Sequence, residues 1–147
     1  MKHIISRIDQ EHVQSSLTGK NGDYPEVSYV LIRNIVVDLM GIIPDAGRNS
    51  LRTLSHLPEE IETLGIENIR MGNSRISVRH EGRHTSILEY KQGESMLTWH
   101  AAFPGNHAQV VVNGENKACS QRNENGLEVS FCFFEMKPGE KVMISIR

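Results

Sequence analysis

The chain holds 147 residues, with 16 Lys and Arg against 18 Asp and Glu and a formal charge of −2; that length suits one domain, or one small domain with an appendage, able to bury roughly two-thirds of its unfolded surface. Near-neutral charge argues against a nucleic-acid binder driven by phosphate neutralisation, and no uncharged apolar run reaches the ~18 residues of a membrane-spanning helix. With 38% hydrophobic and 23% charged residues, the composition is that of a globular domain and excludes a disordered chain.

Taken in order, the first residues are polar with spaced apolar positions at Ile4, Ile5, Ile8, Val13 and Leu17. Those spacings fit an amphipathic helix that ends at Gly19. Met1–Arg7 lacks the long apolar core of a secretory leader, so no compartment is read from it. The turn-forming run Gly19-Lys20-Asn21-Gly22-Asp23 follows, and Tyr24-Pro25-Glu26 opens a second helix. Asp23 suits its N-cap region, Pro25 an early helical position and Glu26 the positive end of the dipole. The helix is expected to run to about Met40 and to stop at Gly41, with Pro44 beyond. Val27, Val30, Leu31, Ile32, Ile35, Val36, Val37, Leu39 and Met40 cover more than one stripe of it. A helix apolar on most sides is normally buried on most sides. The roughly 45 residues to this point are too few to enclose it, which reads as a helical segment of a longer protein.

After Pro44 the pattern changes to short β-prone runs separated by Gly or Asn turns, with turn signals about every 8–12 residues. Arg75–Arg79 alternates cleanly, then come Thr85–Tyr90, Met96–Phe103, Gln109–Val112, Leu127–Phe134 and Val142–Ile146. Asn113-Gly114 is a strong tight-turn dipeptide. The expected fold is mainly β, an antiparallel β-sandwich (jelly-roll-like) preceded by a helical hairpin. The expected division is 1–45 for the helical segment and 46–147 for the sandwich. Phe131, Phe133 and Phe134 fall on both faces of one strand, so at least one of the two faces is covered by something. The two cysteines, Cys119 and Cys132, read as free thiols in the absence of a disulfide framework.

His80, His84, His100 and His107 lie in or beside the predicted sheet. In the order His80, His84, Glu89, His107, they loosely resemble a jelly-roll metal site, where imidazoles and a carboxylate from adjacent strands converge. His80 and His84 stand across Gly82, however, where same-strand ligands would be one residue apart. Polar positions on a solvent face and turn are the plainer reading, and no cofactor is assigned. Trp99, the single tryptophan, could form with Tyr90 and Phe103 a platform for a sugar ring, or pack in the core. No nucleophile elbow, Walker loop or dinucleotide fingerprint occurs. Glu26 and Asp23 are candidate acids by position only, and capping the helix is the other reading of each.

Several runs together resemble a known group. They are Gly22–Tyr29, the exit Asp38-Leu39-Met40-Gly41-Ile42-Ile43-Pro44-Asp45-Ala46, then Leu51–Pro58 and Ile66–Gly72. Over about Gly22 to Val78 the chain resembles the C-terminal end of six-hairpin helical-barrel glycoside hydrolases of the glucoamylase-like and α-L-rhamnosidase-like groups. The resemblance implies a last barrel helix followed by a β-sandwich that braces the barrel. It implies a parent enzyme acting on carbohydrate, with Glu26 a candidate acid there and Tyr24 and Trp99 candidate carbohydrate contacts. The remaining barrel helices and at least one catalytic acid are not in this sequence, so the chain alone is expected to lack activity. Self-association through residues 26–40 is expected if that helix finds no other cover. The alternative is a free-standing, cupin-like sandwich binding a sugar or a metal. Neither nucleic acid nor membrane is expected as a partner.

Overall fold

A computed structural model describes residues 25–146, the side chains of 25–28 excepted. The helix expected over 4–17, Tyr24 and the Glu26 carboxyl therefore lie outside the described residues. Two compact units divide between Ile35 and Val36.

The first unit contains α1, Pro25–Arg33, which opens on proline as anticipated. Its regular winding gives way at Asn34 to a π-helical turn, Asn34–Leu39. Three consecutive β-branched residues, Ile35, Val36 and Val37, lie there, and their stiff side chains crowd a regular α-helix. Tyr29 and Ile32 are each more than half exposed on α1.

The second unit is a β-sandwich. Gly41 ends the helical exit at φ +58°, and a Cβ at that position would collide with the Leu54 carbonyl oxygen. Only glycine allows that approach. The exit is stitched down by hydrogen bonds from Leu54 N to Gly41 O (3.2 Å) and from His56 N to Leu39 O (2.9 Å). Eleven strands follow: β1 Ile43–Asp45, β2 Ser50–Leu54, β3 Thr63–Met71, β4 Ser74–Glu81, β5 Thr85–Gln92, β6 Leu97–Pro104, β7 Gln109–Val112, β8 Glu115–Ala118, β9 Ser120–Glu124, β10 Leu127–Met136 and β11 Lys141–Ser145. A five-stranded sheet has the order β1-β2-β6-β10-β9, and a six-stranded sheet the order β3-β4-β5-β11-β7-β8. Every pairing is antiparallel except β2 with β6.

The expected mainly-β, antiparallel sandwich is thus the fold of this chain. Asn113 and Gly114 both take positive φ, 48° and 95°, in the anticipated tight turn between β7 and β8. A β-bulge interrupts the β3–β4 ladder between Ile66 and Ile69, with Asn68 at φ 58°.

The core lies between the sheets. Trp99, Leu97, Ala101 and Phe103 of β6 meet Ile76 and Val78 of β4, Leu88 and Tyr90 of β5, and Met40 and Ile42 from the exit. Trp99 is fully buried, and its indole N–H donates to Thr53 Oγ1 at 2.9 Å. Of the two uses open to Trp99, Tyr90 and Phe103, core packing is the one realised. His80 corrects the solvent-face reading, because it is fully buried. One ring nitrogen, Nδ1, is 2.9 Å from Ser86 Oγ, and Nε2 is 3.0 Å from the Met40 carbonyl. A buried imidazole satisfied on both sides is tolerated where an unpaired one is not.

Candidate functional site

Strand alternation sorts the residues of the five-stranded sheet into two sets. On β6, Leu97, Trp99, Ala101 and Phe103 point to the core, so Thr98, His100 and Ala102 point out. On β10, Cys132, Phe134 and Met136 join the core while Phe131 and Phe133 face away. Parallel pairing sets Arg52 of β2 beside His100 and Leu54 beside Ala102. Leu54, Ala102, Val129 and Phe131 form a second, smaller apolar cluster on that outer face. Ile43, opposite Arg52, and Phe133 stand exposed on it, Phe133 at 55%.

The face carries an ion cluster. Arg52 Nη2 donates to both Glu124 carboxylate oxygens, at 2.8 and 2.6 Å. Arg122 Nε donates to Glu124 Oε1 at 2.6 Å, and its guanidinium lies 4.8 Å from the Phe131 ring centroid. Burial pushes the Glu124 carboxyl up, but the Arg122 hydrogen bonds and the Arg52 charge outweigh it and hold it below the usual range. His100 stacks on Phe133 with ring centroids 4.5 Å apart and meets Phe131 edge-on at 5.1 Å. Burial, and then the charges of Arg52 and Arg122, lower the His100 imidazole to about 4, so it is neutral at pH 7. Among the described residues, Arg52 Nε and His100 Nε2 are buried without a hydrogen-bond partner. Such groups cost stability as they stand.

At one end the face runs into a cleft of about 310 Å³. Leu54, Leu127 and Val129 supply its apolar lining; His56, Arg83 and Glu128 supply its polar groups. The hairpin between β9 and β10 delivers Leu127 and Glu128. Asn125 and Gly126 both take positive φ there, and Gly126 N donates to Asn123 Oδ1 at 2.8 Å. Arg83 comes from the β4–β5 turn, held by Nε donating to Leu57 O at 2.7 Å. Burial and the charges of Arg52 and Arg83 lower His56, against weaker opposing pulls from Asp38 and Glu124.

The remaining sequence candidates sit elsewhere. His84 is exposed in the β4–β5 turn and His80 is inside. His107 Nε2 lies 3.0 Å from Pro104 O. No group of three or more His, Cys, Asp or Glu among the described residues is placed to hold a metal. Both thiols are free. Cys119 Sγ donates to His107 O at 2.7 Å, and burial pushes the Cys132 thiol up to about 12, which makes it a poor nucleophile.

The residues that sequence reading passed over are Arg52, His56, Arg83, Arg122, Glu124 and Glu128. Only alternation pointed to any of them: in Leu51-Arg52-Thr53-Leu54 an arginine opposes core positions, just as Phe133 opposes Phe134. Comparison with protein families, curated proteins and solved structures finds no match.

Proposed function

We propose that this chain is a non-catalytic C-terminal accessory region of a carbohydrate-active glycoside hydrolase, its sandwich bracing a helical barrel through the outer face of the five-stranded sheet. One observation carries the reading. Phe133 and Ile43 stand exposed over the Leu54, Ala102, Val129 and Phe131 layer, beside an arginine and a histidine that each keep a buried nitrogen unpaired. An apolar centre with arginine and aromatic anchors is the anatomy of a protein contact surface. The resemblance over Gly22–Val78 supports a helical barrel as what lies against it. The histidines that a metal-binding sandwich would need favour that alternative less, since His80 spends both nitrogens inside the fold.

The test is stabilisation in trans. A helical-barrel glycosidase domain stripped of its own sandwich is melted with and without this chain. Wild-type chain raises the barrel's Tm; Phe133→Asp abolishes the gain and leaves the chain's own Tm within a few degrees of wild type. Equal gains from both forms, or hydrolysis of aryl glycosides by the chain unaided, overturns the reading.

A further inference from the structure

We infer that Cys119 and Cys132 are a redox pair, which a small dissolved disulfide of the glutathione class oxidises to a cross-strand bond fastening β9 to β10. The inference goes beyond the proposed bracing role and does not depend on it.

Strand register brings the two thiols together. β9 and β10 run antiparallel, and their pairs step from Leu127 with Glu124 to Phe131 with Ser120. One further step sets Cys132 opposite Cys119, the residue at which the chain leaves β8 of one sheet for β9 of the other. Residues directly opposite in an antiparallel pair have Cα atoms about 4.5–5.5 Å apart and side chains on one face. A disulfide spans about 4.4–6.8 Å between Cα atoms. Both side chains turn the same way, since Cys132 belongs to the core and Cys119 packs against that same cluster. Burial raises the Cys119 thiol against the pull of the Ser130 hydroxyl, and Ser130 stands two residues from Cys132 on β10. Burial first, and then the Cys119 sulfur, raise Cys132, so each sulfur lies within the other's electrostatic reach.

The pair is asymmetric, and that sets the order of events. Cys119 is half-buried and Cys132 buried, so a dissolved reagent meets Cys119 first. The Cys119 thiolate attacks one sulfur of the reagent; that S–S bond breaks, a mixed disulfide forms at Cys119, and one reagent thiolate leaves. Cys132 Sγ then attacks the Cys119 sulfur, the mixed disulfide breaks, and the second reagent thiolate leaves. The two cysteine protons end on the two thiols released; the cysteines are oxidised and the reagent is reduced. Cys132 is a poor nucleophile toward anything dissolved, but here the attack is intramolecular, on a sulfur held beside it. Little is lost in closing the bond. Cys119 gives up its contact with His107 O, but Gln121 Nε2 still donates to that oxygen at 3.0 Å. Cys132 Sγ gives up no more than a 4.0 Å contact with the Ala101 carbonyl. What is gained is the hold on β9, an edge strand of polar residues that carries Arg122 and Glu124 of the outer-face ion cluster.

The reduced full chain is equilibrated with mixtures of oxidised and reduced glutathione, alkylated, and read by intact mass and by peptide mapping without reductant. The expected result is one intramolecular bond, Cys119 to Cys132, that raises Tm by about 5 °C or more over the reduced chain and is reversed by reductant. Cys132→Ala traps one glutathione on Cys119, while Cys119→Ala leaves Cys132 unmodified in the folded chain. The mapping and the Tm are read on the wild-type chain, so the test stands even where Cys132→Ala lowers stability. Two alkylated thiols after the most oxidising mixture, glutathione left on Cys119 of the wild-type chain, or bridges only between chains each overturn the inference. So does a bridge that leaves Tm unmoved or lowers it. Reaction at Cys132 in the folded Cys119→Ala chain overturns the order of attack.

Discussion

The two sheets share one core but meet their surroundings on opposite terms. Outward from the six-stranded sheet point Arg75, Ser77 and Arg79 of β4 and Glu89 and Lys91 of β5. Arg79 pairs with Glu81 at 2.8 Å, and Lys91 lies 3.8 Å from Glu67 and 3.9 Å from Glu89. These are exposed or half-exposed pairs in water, each contributing little and leaving nothing unsatisfied. The outer face of the five-stranded sheet instead carries stacked aromatics, a carboxylate shared by two arginines, and two unpaired buried nitrogens. A face built for solvent spends its polar groups on solvent and on each other. The outer face of the five-stranded sheet leaves two of them without partners among the described residues.

That contrast can be broken by mutation. The largest effect belongs to the shared core: Trp99→Ala removes a fully buried indole and its bond to Thr53 and costs about 3–5 kcal/mol, read as a lower Tm or denaturant midpoint. Phe133→Ala on the outer face should cost far less in the isolated chain, under about 1 kcal/mol. Equal losses at the two positions would make Phe133 a core residue and sink the contact-face reading.

The next effect is in pH. His80 has a folded-state value lowered to about 4 by burial, against 6.5 unfolded. The unfolded chain therefore takes the proton first. Stability is full above about pH 6.5, falls as pH drops toward 4, and levels off below it. The full loss is on the order of 3 kcal/mol. His100 is lowered into the same window, but it is partly exposed and contributes less. Urea melts at pH 7 and pH 4 check this, and His80→Gln should flatten the profile more than His100→Gln. The reverse order would place the buried charge cost on the outer face.

Smaller still, Arg52→Met should cost about 1–2 kcal/mol in urea melts. It breaks the bidentate contact to Glu124 but also removes the unpaired Nε. Smallest is Arg79→Ala on the six-stranded sheet, expected within about 0.5 kcal/mol of wild type by thermal melting. A larger change there would mean that this face, too, is more than a solvated surface.

Much of the sandwich was legible because its central strands alternate. Arg75–Arg79 and Thr85–Tyr90 each bury every second residue, which is a local pattern. Strands β8 and β9 were not legible. Glu115–Ala118 is exposed throughout and Ser120–Glu124 nearly so; each is an edge strand that buries no apolar stripe, and their pairing comes from their neighbours. β2 was seen only as part of a resemblance, since five residues with Arg52 and Thr53 among them do not announce a parallel partner. His80 misled for a related reason: a histidine in an alternating strand looks polar until Ser86, opposite it across the β4–β5 turn, and the Met40 carbonyl, forty residues away, are brought to it. The cleft was invisible because its polar groups, His56, Arg83 and Glu128, come from three separate connections or hairpins.

The parallel pairing of β2 with β6 has a consequence for how the chain reaches this state. The five-stranded sheet takes β1 and β2 from its beginning and β9 and β10 from near its end, with β6 between them. The meander β3-β4-β5 can zip from local turns, but only the short β1–β2 pair of the second layer precedes it, and β6 lacks a neighbour on its other side until β10, through Met136, has been made. Such distant pairings carry a large loop-closure cost before they return any stability, so they form slowly. During synthesis, Trp99 and the other core residues of β6 must wait, exposed, for β10 to be translated, and a chain cut before β10 would be prone to aggregate.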